Sequence, residues 1–239
     1  MSDDMTGFLT QRCQTADRPL QGMTVLVVED SRFACEAMRI LCLRSGARIR
    51  RADCLRSARR HLATYRPTVV IVDLGLPDGF GQELIRDLAA MSVRVPVVLG
   101  TSGNADGAEV AREAGADGFL EKPIESLAAF QAAILSALPS AARPKGPRAL
   151  ANDIVTPDPL ALRDDLSLAA GILSESGDET RLDYVAQFLS GLAISAHDAA
   201  LEAAAADLAR DRRAGRSTSG DVTRITGLVR QRLASGARF

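Results

Sequence analysis

TVLVVEDS (residues 24–31) and TVVIVDLGLPDG (residues 68–79) decide how this chain is read: each is an unbroken β-branched and aliphatic run that stops abruptly at an acidic residue. Runs of that length with no polar alternation describe strands buried on both faces. After the first, Ala34, Met38, Leu41 and Cys42 recur at helical spacing until Ser45-Gly46. A strand followed by a helix is the repeating unit.

Outward from these two runs the unit recurs. A weaker strand at Ala47–Ala52 precedes a helix carrying Leu55, Ala58, Leu62 and Tyr65. Behind Asp73, the Gly75–Gly79 stretch reads as a loop, and Leu84, Ile85 and Leu88 mark a helix. Strand Val95–Leu99, helix Ala105–Ala114, strand Gly118–Leu120 and a helix with Leu127, Phe130, Ile134 and Leu138 complete five units. Apolar strands joined by helices imply the α/β class: a doubly wound (βα)5 parallel sheet, expected strand order 2-1-3-4-5, with ligands at the carboxyl ends of the strands.

The flanks differ. Residues 1–22 are polar and irregular, an N-terminal extension to a domain at 23–139. Residues 140–159 read as a linker, with five prolines between Leu138 and Pro159. From 160 to 236 the pattern is a small all-α domain of four helices: Leu160–Leu173, Thr180–Ile194, an alanine-rich helix opened by a capping box at Ser195–Asp198, and Val222–Leu233.

The whole chain is nearly neutral, with 29 basic and 30 acidic residues, so no global field draws nucleic acid or an anionic membrane. The start MSDDMTGF lacks a basic stretch followed by an apolar run, and no signal peptide or membrane span is expected; the protein is expected in the cytoplasm. Cys13, Cys35, Cys42 and Cys54 have no metal-type spacing and read as small hydrophobes.

In a parallel sheet the strand ends meet at one edge. Glu29-Asp30, Asp73, Thr101-Ser102 and Lys122-Pro123 therefore converge: carboxylates, a hydroxyl and an ammonium in one cleft. Clustered carboxylates repel one another, and a hard divalent cation relieves that repulsion; Mg²⁺ is the expected cofactor. Asp73 is the candidate nucleophile for a phosphoryl group, with Lys122 and Thr101 as partners for its oxygens. Singly, each signal is bland: Asp30 or Ser31 as a helix cap, Asp73 as a turn residue, Lys122 as a solvated lysine.

Through TVLVVEDS, TVVIVDLGLPDG, VPVVLGTS (95–102) and GADGFLEKPI (115–124), residues 23–139 resemble the receiver domain of two-component response regulators. The resemblance implies phosphotransfer from a histidine kinase or histidine phosphotransfer protein onto Asp73, with Mg²⁺ placed by Glu29, Asp30, Asp73 and the Gly75 carbonyl. It implies a cis peptide at Lys122-Pro123 and an aromatic switch at Phe119 coupled to Thr101. Such a protein is no enzyme beyond its own phosphorylation and dephosphorylation. Against the family pattern, Gly100 replaces an apolar residue, Phe119 lacks a tyrosine hydroxyl, and Gly75 is expected to leave the site open to water.

The helical domain is expected to act by protein contact, through homodimerisation or partner capture. Eight arginines from Arg210 onward against Asp211 and Asp221 give a net charge of +6 there, but no helix-turn-helix pattern accompanies it. Nucleic acid is therefore not the expected partner, and a solvated face is the first reading; a DNA-binding transcriptional regulator is the alternative. A divergent histidine phosphotransfer module is another, but His197, at a cap and not mid-helix, reads as a surface residue, as does His61.

Overall fold

The computed structural model describes residues 14–143, 153–174 and 179–235. Its strands and helices are β1 (Thr24–Val28), α1 (Arg32–Arg44), β2 (Arg48–Ala52), α2 (Leu55–Thr64), β3 (Val69–Asp73), β4 (Gly75–Leu76), β5 (Gly79–Phe80), α3 (Gly81–Ala89), β6 (Val97–Ser102), α4 (Gly107–Ala114), β7 (Gly118–Glu121), α5 (Leu127–Ala137), α6 (Pro159–Ser174), α7 (Glu179–Ser195), α8 (Ala199–Arg213) and α9 (Ser219–Ala234).

Five parallel strands lie in the order β2-β1-β3-β6-β7, which is the expected 2-1-3-4-5 once the short β4 and β5 are set aside. Every residue of β3 and β6 is buried, whereas β2 at the edge exposes Arg48, Arg50 and Arg51, which explains its weaker pattern. On one face Val25, Val27, Ile71 and Leu99 pack against Met38, Leu41, Phe130 and Ile134. On the other, Leu26, Val28, Val70 and Val98 meet Leu55, Leu84, Ile85 and Leu88. The alternation along each strand thus divides between two helical layers.

Three expectations need correction. The Gly75–Gly79 loop is an antiparallel hairpin of two-residue strands, tied by Asp78, whose carboxylate accepts the Leu55 and Arg56 amides at 2.8 and 2.9 Å. The part of residues 1–22 that is described is no loose extension: Leu20 is fully buried in the sheet core and its amide donates to the Ser45 carbonyl at 2.9 Å. The linker is likewise pinned at its far end, where Ile154 bridges Ser126 and Val155 is buried among the α1 and α5 side chains. Apolar side chains within polar surroundings account for both anchors.

Helices α6 to α9 bury Leu166, Ala169, Val185, Leu189, Leu192, Ala204, Leu208, Ile225 and Val229 together. The cap of α8 is Asp198, which accepts the Leu201 amide, and Ser195 instead closes α7 by donating to the Gly191 carbonyl. The capping-box expectation was three residues early, because α7 continues through Ser195 before the turn at His197, whose φ is 56°. No described helix is long and apolar enough to cross a membrane.

The helical domain also packs on the receiving half of the chain. Phe33, in the first turn of α1, is only 7% exposed and belongs to the helical domain's core. Helices α6 and α7 both lie against α1. That contact brings α7 over the carboxyl edge of the sheet.

Candidate phosphoacceptor site

Each expected site residue arrives through a strand end. Glu29 and Asp30 follow β1, Asp73 closes β3, Thr101 sits in β6 and Lys122 follows β7. Strand register puts Asp73 directly beside Thr101, and the Leu74 amide donates to the Thr101 carbonyl at 3.0 Å. Helix α3 begins hard against this corner: a Cβ on Gly81 would lie 1.9 Å from the Asp73 carbonyl oxygen, so only glycine fits.

The carboxylates of Glu29, Asp30 and Asp73 offer oxygens that all lie within 4.8 Å of one another. Lys122 is buried among them, its Nζ 2.5 Å from Asp73 Oδ2 and 2.8 Å from Glu29 Oε2. Burial works against the Lys122 ammonium, but Asp73 and Glu29 more than compensate and hold its pKa above the ordinary lysine value. Burial, reinforced by Asp73, pushes the Glu29 carboxyl well up. The same two causes bring Asp30 to about 6. One ammonium does not balance three carboxylates, so the cluster suits a hard cation with oxygen ligands.

Two features fit a phosphoryl group bound there. Thr101 Oγ1 is fully buried and has no hydrogen-bond partner among the described residues. A buried hydroxyl without a partner costs free energy, and such exceptions mark functional positions. The Gly75 amide donates to Asp73 Oδ1 at 3.0 Å, fixing the carboxylate plane. Lys122-Pro123 is cis, as the resemblance implied.

Of the bland alternatives, capping holds for Ser31 alone: its Oγ accepts the Ala34 amide at 3.0 Å, while Asp30 faces the cleft. Phe119 is half-buried and lies over Gly100, where a Cβ would meet Ala111 Cβ at 2.5 Å and Phe119 Cδ2 at 3.4 Å. The small residue at 100 therefore lets α4 and the Phe119 ring close over β6.

The largest surprise is the cover. Tyr184 on α7 donates from its hydroxyl to Asp30 Oδ2 at 2.7 Å. Burial and the Asp30 charge push the Tyr184 phenol well up, so it stays a donor. Gln187 occupies the space a side chain at 75 would need: a Cβ there would lie 2.3 Å from its Nε2. A Cβ on Gly191 would approach Lys122 Nζ to 3.4 Å, and Ile194 rests over Gly103. The expectation that Gly75 opens the site to water is overturned, because α7 fills that opening.

Asp165 on α6 completes the contact. It is 1% exposed and accepts three bonds, from Ser31 Oγ at 2.8 Å and from the Arg32 and Phe33 amides, both at 3.0 Å. With Ser31 on the Ala34 amide, the free donors of the first turn of α1 are satisfied, two of them from another domain. Sequence reasoning missed Asp165, Tyr184 and Gln187. Only Asp165 carried a signal, a carboxylate on the buried stripe Leu162-Leu166-Ala169.

Residues 25–134 match the profile of the response regulator receiver domain. These residues are a receiver domain. The KDP operon transcriptional regulatory protein KdpE of Escherichia coli is 32% identical over 160 residues, 66% of each chain. The virulence transcriptional regulatory protein PhoP of Salmonella typhimurium is 37% identical over 115 residues, 46% of this chain and 51% of PhoP. This chain thus spans about half to two thirds of these relatives' length. The receiver domain of a histidine kinase from Syntrophus aciditrophicus aligns at 25% identity and TM-score 0.45, covering 54% of this chain and 99% of that one.

Elsewhere the sequence candidates are quiet. His197 is exposed and pairs with Glu125 at 3.0 Å, away from the cleft lining. His61, half-buried rather than fully at the surface, meets the Tyr65 hydroxyl at 3.1 Å. Cys35 and Cys42 are buried in α1, where burial raises both thiols to about 12; Cys13 lies outside the described residues. Of the basic patch, Arg210, Arg212, Arg216, Arg224 and Arg232 form ion pairs with Asp207, Asp183, Asp211, Asp207 and Asp198, and Arg238 lies outside the described residues.

Proposed function

We propose that this chain is the response regulator of a two-component phosphorelay, accepting a phosphoryl group on Asp73 from a histidine kinase or histidine phosphotransfer protein. The observation that carries it is the buried set of three carboxylates around Lys122, with the unpartnered Thr101 hydroxyl beside Asp73. Glu29, Asp30, Asp73 and the Gly75 carbonyl would hold Mg²⁺, which supplies charge neutralisation for phosphoryl oxygens.

The chain's own residues do the rest. The Gly75 amide and Lys122 orient the Asp73 carboxylate, one oxygen of which attacks phosphorus in line with the donor nitrogen. The O–P bond forms as the N–P bond breaks, and the donor imidazole leaves with the electron pair. The Thr101 hydroxyl then donates to a phosphoryl oxygen, and Lys122 turns its charge from Asp73 toward the adduct. The chain would catalyse nothing beyond its own phosphorylation and dephosphorylation, and would work in the cytoplasm.

Mobility on phosphate-affinity gels with intact mass, after prolonged incubation with Mg²⁺ and acetyl phosphate, tests this. Wild type should gain one phosphoryl group and Asp73→Ala none. No adduct on wild type, where a control receiver is labelled, overturns the reading.

The names of the two relatives favour a second reading, transcriptional regulation through the helical domain. Its arginine ion pairs weigh against a phosphate-binding face, since guanidinium groups already offset by Asp183 and Asp198 add less net charge against DNA phosphates. Unchanged DNA affinity after charge reversal at Arg212 and Arg213 removes it.

A further inference from the structure

We propose that the carboxyl edge of the receiver is a helix-docking surface held in cis by α7, so that docking of the helical domain and loading of the phosphoacceptor site exclude each other. The inference rests on the phosphoacceptor reading of Asp73 and concerns the regulation of that site.

Space decides the first part. With α7 in place, the cavity bounded by Asp30, Asp73, Lys122, Gln187 and Gly191 has room of about 20 Å³. A cavity needs roughly 10–15 Å³ of such room to hold one water. A phosphoryl group arriving in line on its donor does not fit, and neither does a cation with its waters. Swinging the Gln187 side chain off Gly75 leaves the α7 backbone itself in the way, since Gly191 lies against the Lys122 side chain and α7 packs on β4. The helix has to move.

Chemistry decides the second. Tyr184 donates to Asp30 Oδ2, on one of the three carboxylates that would face a cation. A divalent cation on Asp30 draws charge from its carboxylate and weakens the hydrogen bond that carboxylate accepts, so ion binding loosens the Tyr184 latch. The rest of the dock lies outside the cleft: Asp165 caps α1, Phe33 inserts into the helical core, and His197 meets Glu125. These contacts hold the domain near while leaving the site's chemistry untouched. Release would uncover the α7 face bearing Tyr184, Gln187, Gly191 and Ile194, the surface through which the helical domain would signal.

The test uses full-length protein with two variants. Tyr184→Phe removes the bond to Asp30 and keeps the ring against Phe188. Gly191→Leu drives a side chain into Lys122 while raising the helix propensity of α7. Calorimetric titration with Mg²⁺ should show affinity raised about tenfold in Tyr184→Phe, the lower value of one hydrogen bond to a charged group, and raised in Gly191→Leu by at least as much, since there the whole of α7 is displaced. Hydrogen exchange in residues 181–195 should speed up on adding Mg²⁺ to wild type, and should already be fast in Gly191→Leu. Equal Mg²⁺ affinity in all three proteins, with exchange in α7 indifferent to Mg²⁺, overturns the latch. A variant that binds Mg²⁺ more tightly with α7 released, yet takes no phosphoryl group from acetyl phosphate, supports the latch and removes the phosphoacceptor reading instead. Should Gly191→Leu fail to fold, Tyr184→Phe gives both readouts by itself.

Discussion

Asp165→Ala is the substitution whose cost can be worked most directly from the structure. The carboxylate is 1% exposed and accepts from Ser31 Oγ, Arg32 N and Phe33 N. A hydrogen bond to a charged group contributes about 1.5–3 kcal/mol, so the three together are worth roughly 4–9 kcal/mol. Against this stands the cost of burying a carboxylate; burial raises the Asp165 pKa despite its three donors, so much of the gain is already spent on desolvation. Ser31 Oγ keeps its own bond to Ala34 in the variant, and the freed amides gain water once the domains part. A net loss of about 2–4 kcal/mol remains, which is roughly a 30- to 1000-fold shift toward the undocked arrangement. Hydrogen exchange followed by mass spectrometry reads it in peptides covering residues 31–44 and 181–195. Both should exchange faster, while β3 and β6 stay protected. Asp165→Asn, which retains one accepting oxygen, should lie between. Unchanged exchange at the start of α1 would refute the cap, and uniform acceleration through the sheet would show that Asp165 supports the receiver core instead of the docking.

Thr101→Val should leave thermal stability within about 1 kcal/mol of wild type or raise it, since it removes a buried hydroxyl with no partner; the adduct on Asp73 should form more slowly by gel mobility. Gly81→Ala should lower stability by about 1–3 kcal/mol or more, because its Cβ meets the Asp73 carbonyl at 1.9 Å, and should abolish labelling; chemical denaturation and intact mass check the two effects. Burial alone would raise the Asp198 carboxyl, but Arg232 at 2.8 Å and the Leu201 amide outweigh it and hold the pKa below the usual range. A depressed carboxylate contributes stability above the unfolded value of about 3.9 and loses it as pH falls through the lower folded value. Asp198→Asn should therefore destabilise the helical domain near neutrality, and denaturation curves of variant and wild type should converge in acid.

The receiver and its site were legible because their signals are local and repeated. Strands such as TVLVV and TVVIV announce themselves within five residues, and parallel connection obliges their ends to share one edge. Glu29, Asp30, Asp73, Thr101 and Lys122 could be placed in one cleft without any knowledge of side-chain packing. The Leu20 and Val155 anchors were harder, as one apolar residue in a polar stretch has no period to detect.

What lies over that cleft was decided only in three dimensions. Tyr184, Gln187 and Gly191 sit on a helix whose apolar stripe would suit any bundle, and 154 residues separate Tyr184 from the carboxylate it bonds. Helical periodicity says which face is buried and nothing about what it is buried against. The partner emerges from complementary pieces that are silent singly: Phe33 needing a socket, the first turn of α1 needing acceptors, Asp165 needing donors, and two glycines permitting the helix to close on Gly75 and Lys122. Strand ends share an edge by covalent topology, which the chain order carries; two domains meet through surface complementarity, which exists only once both have folded.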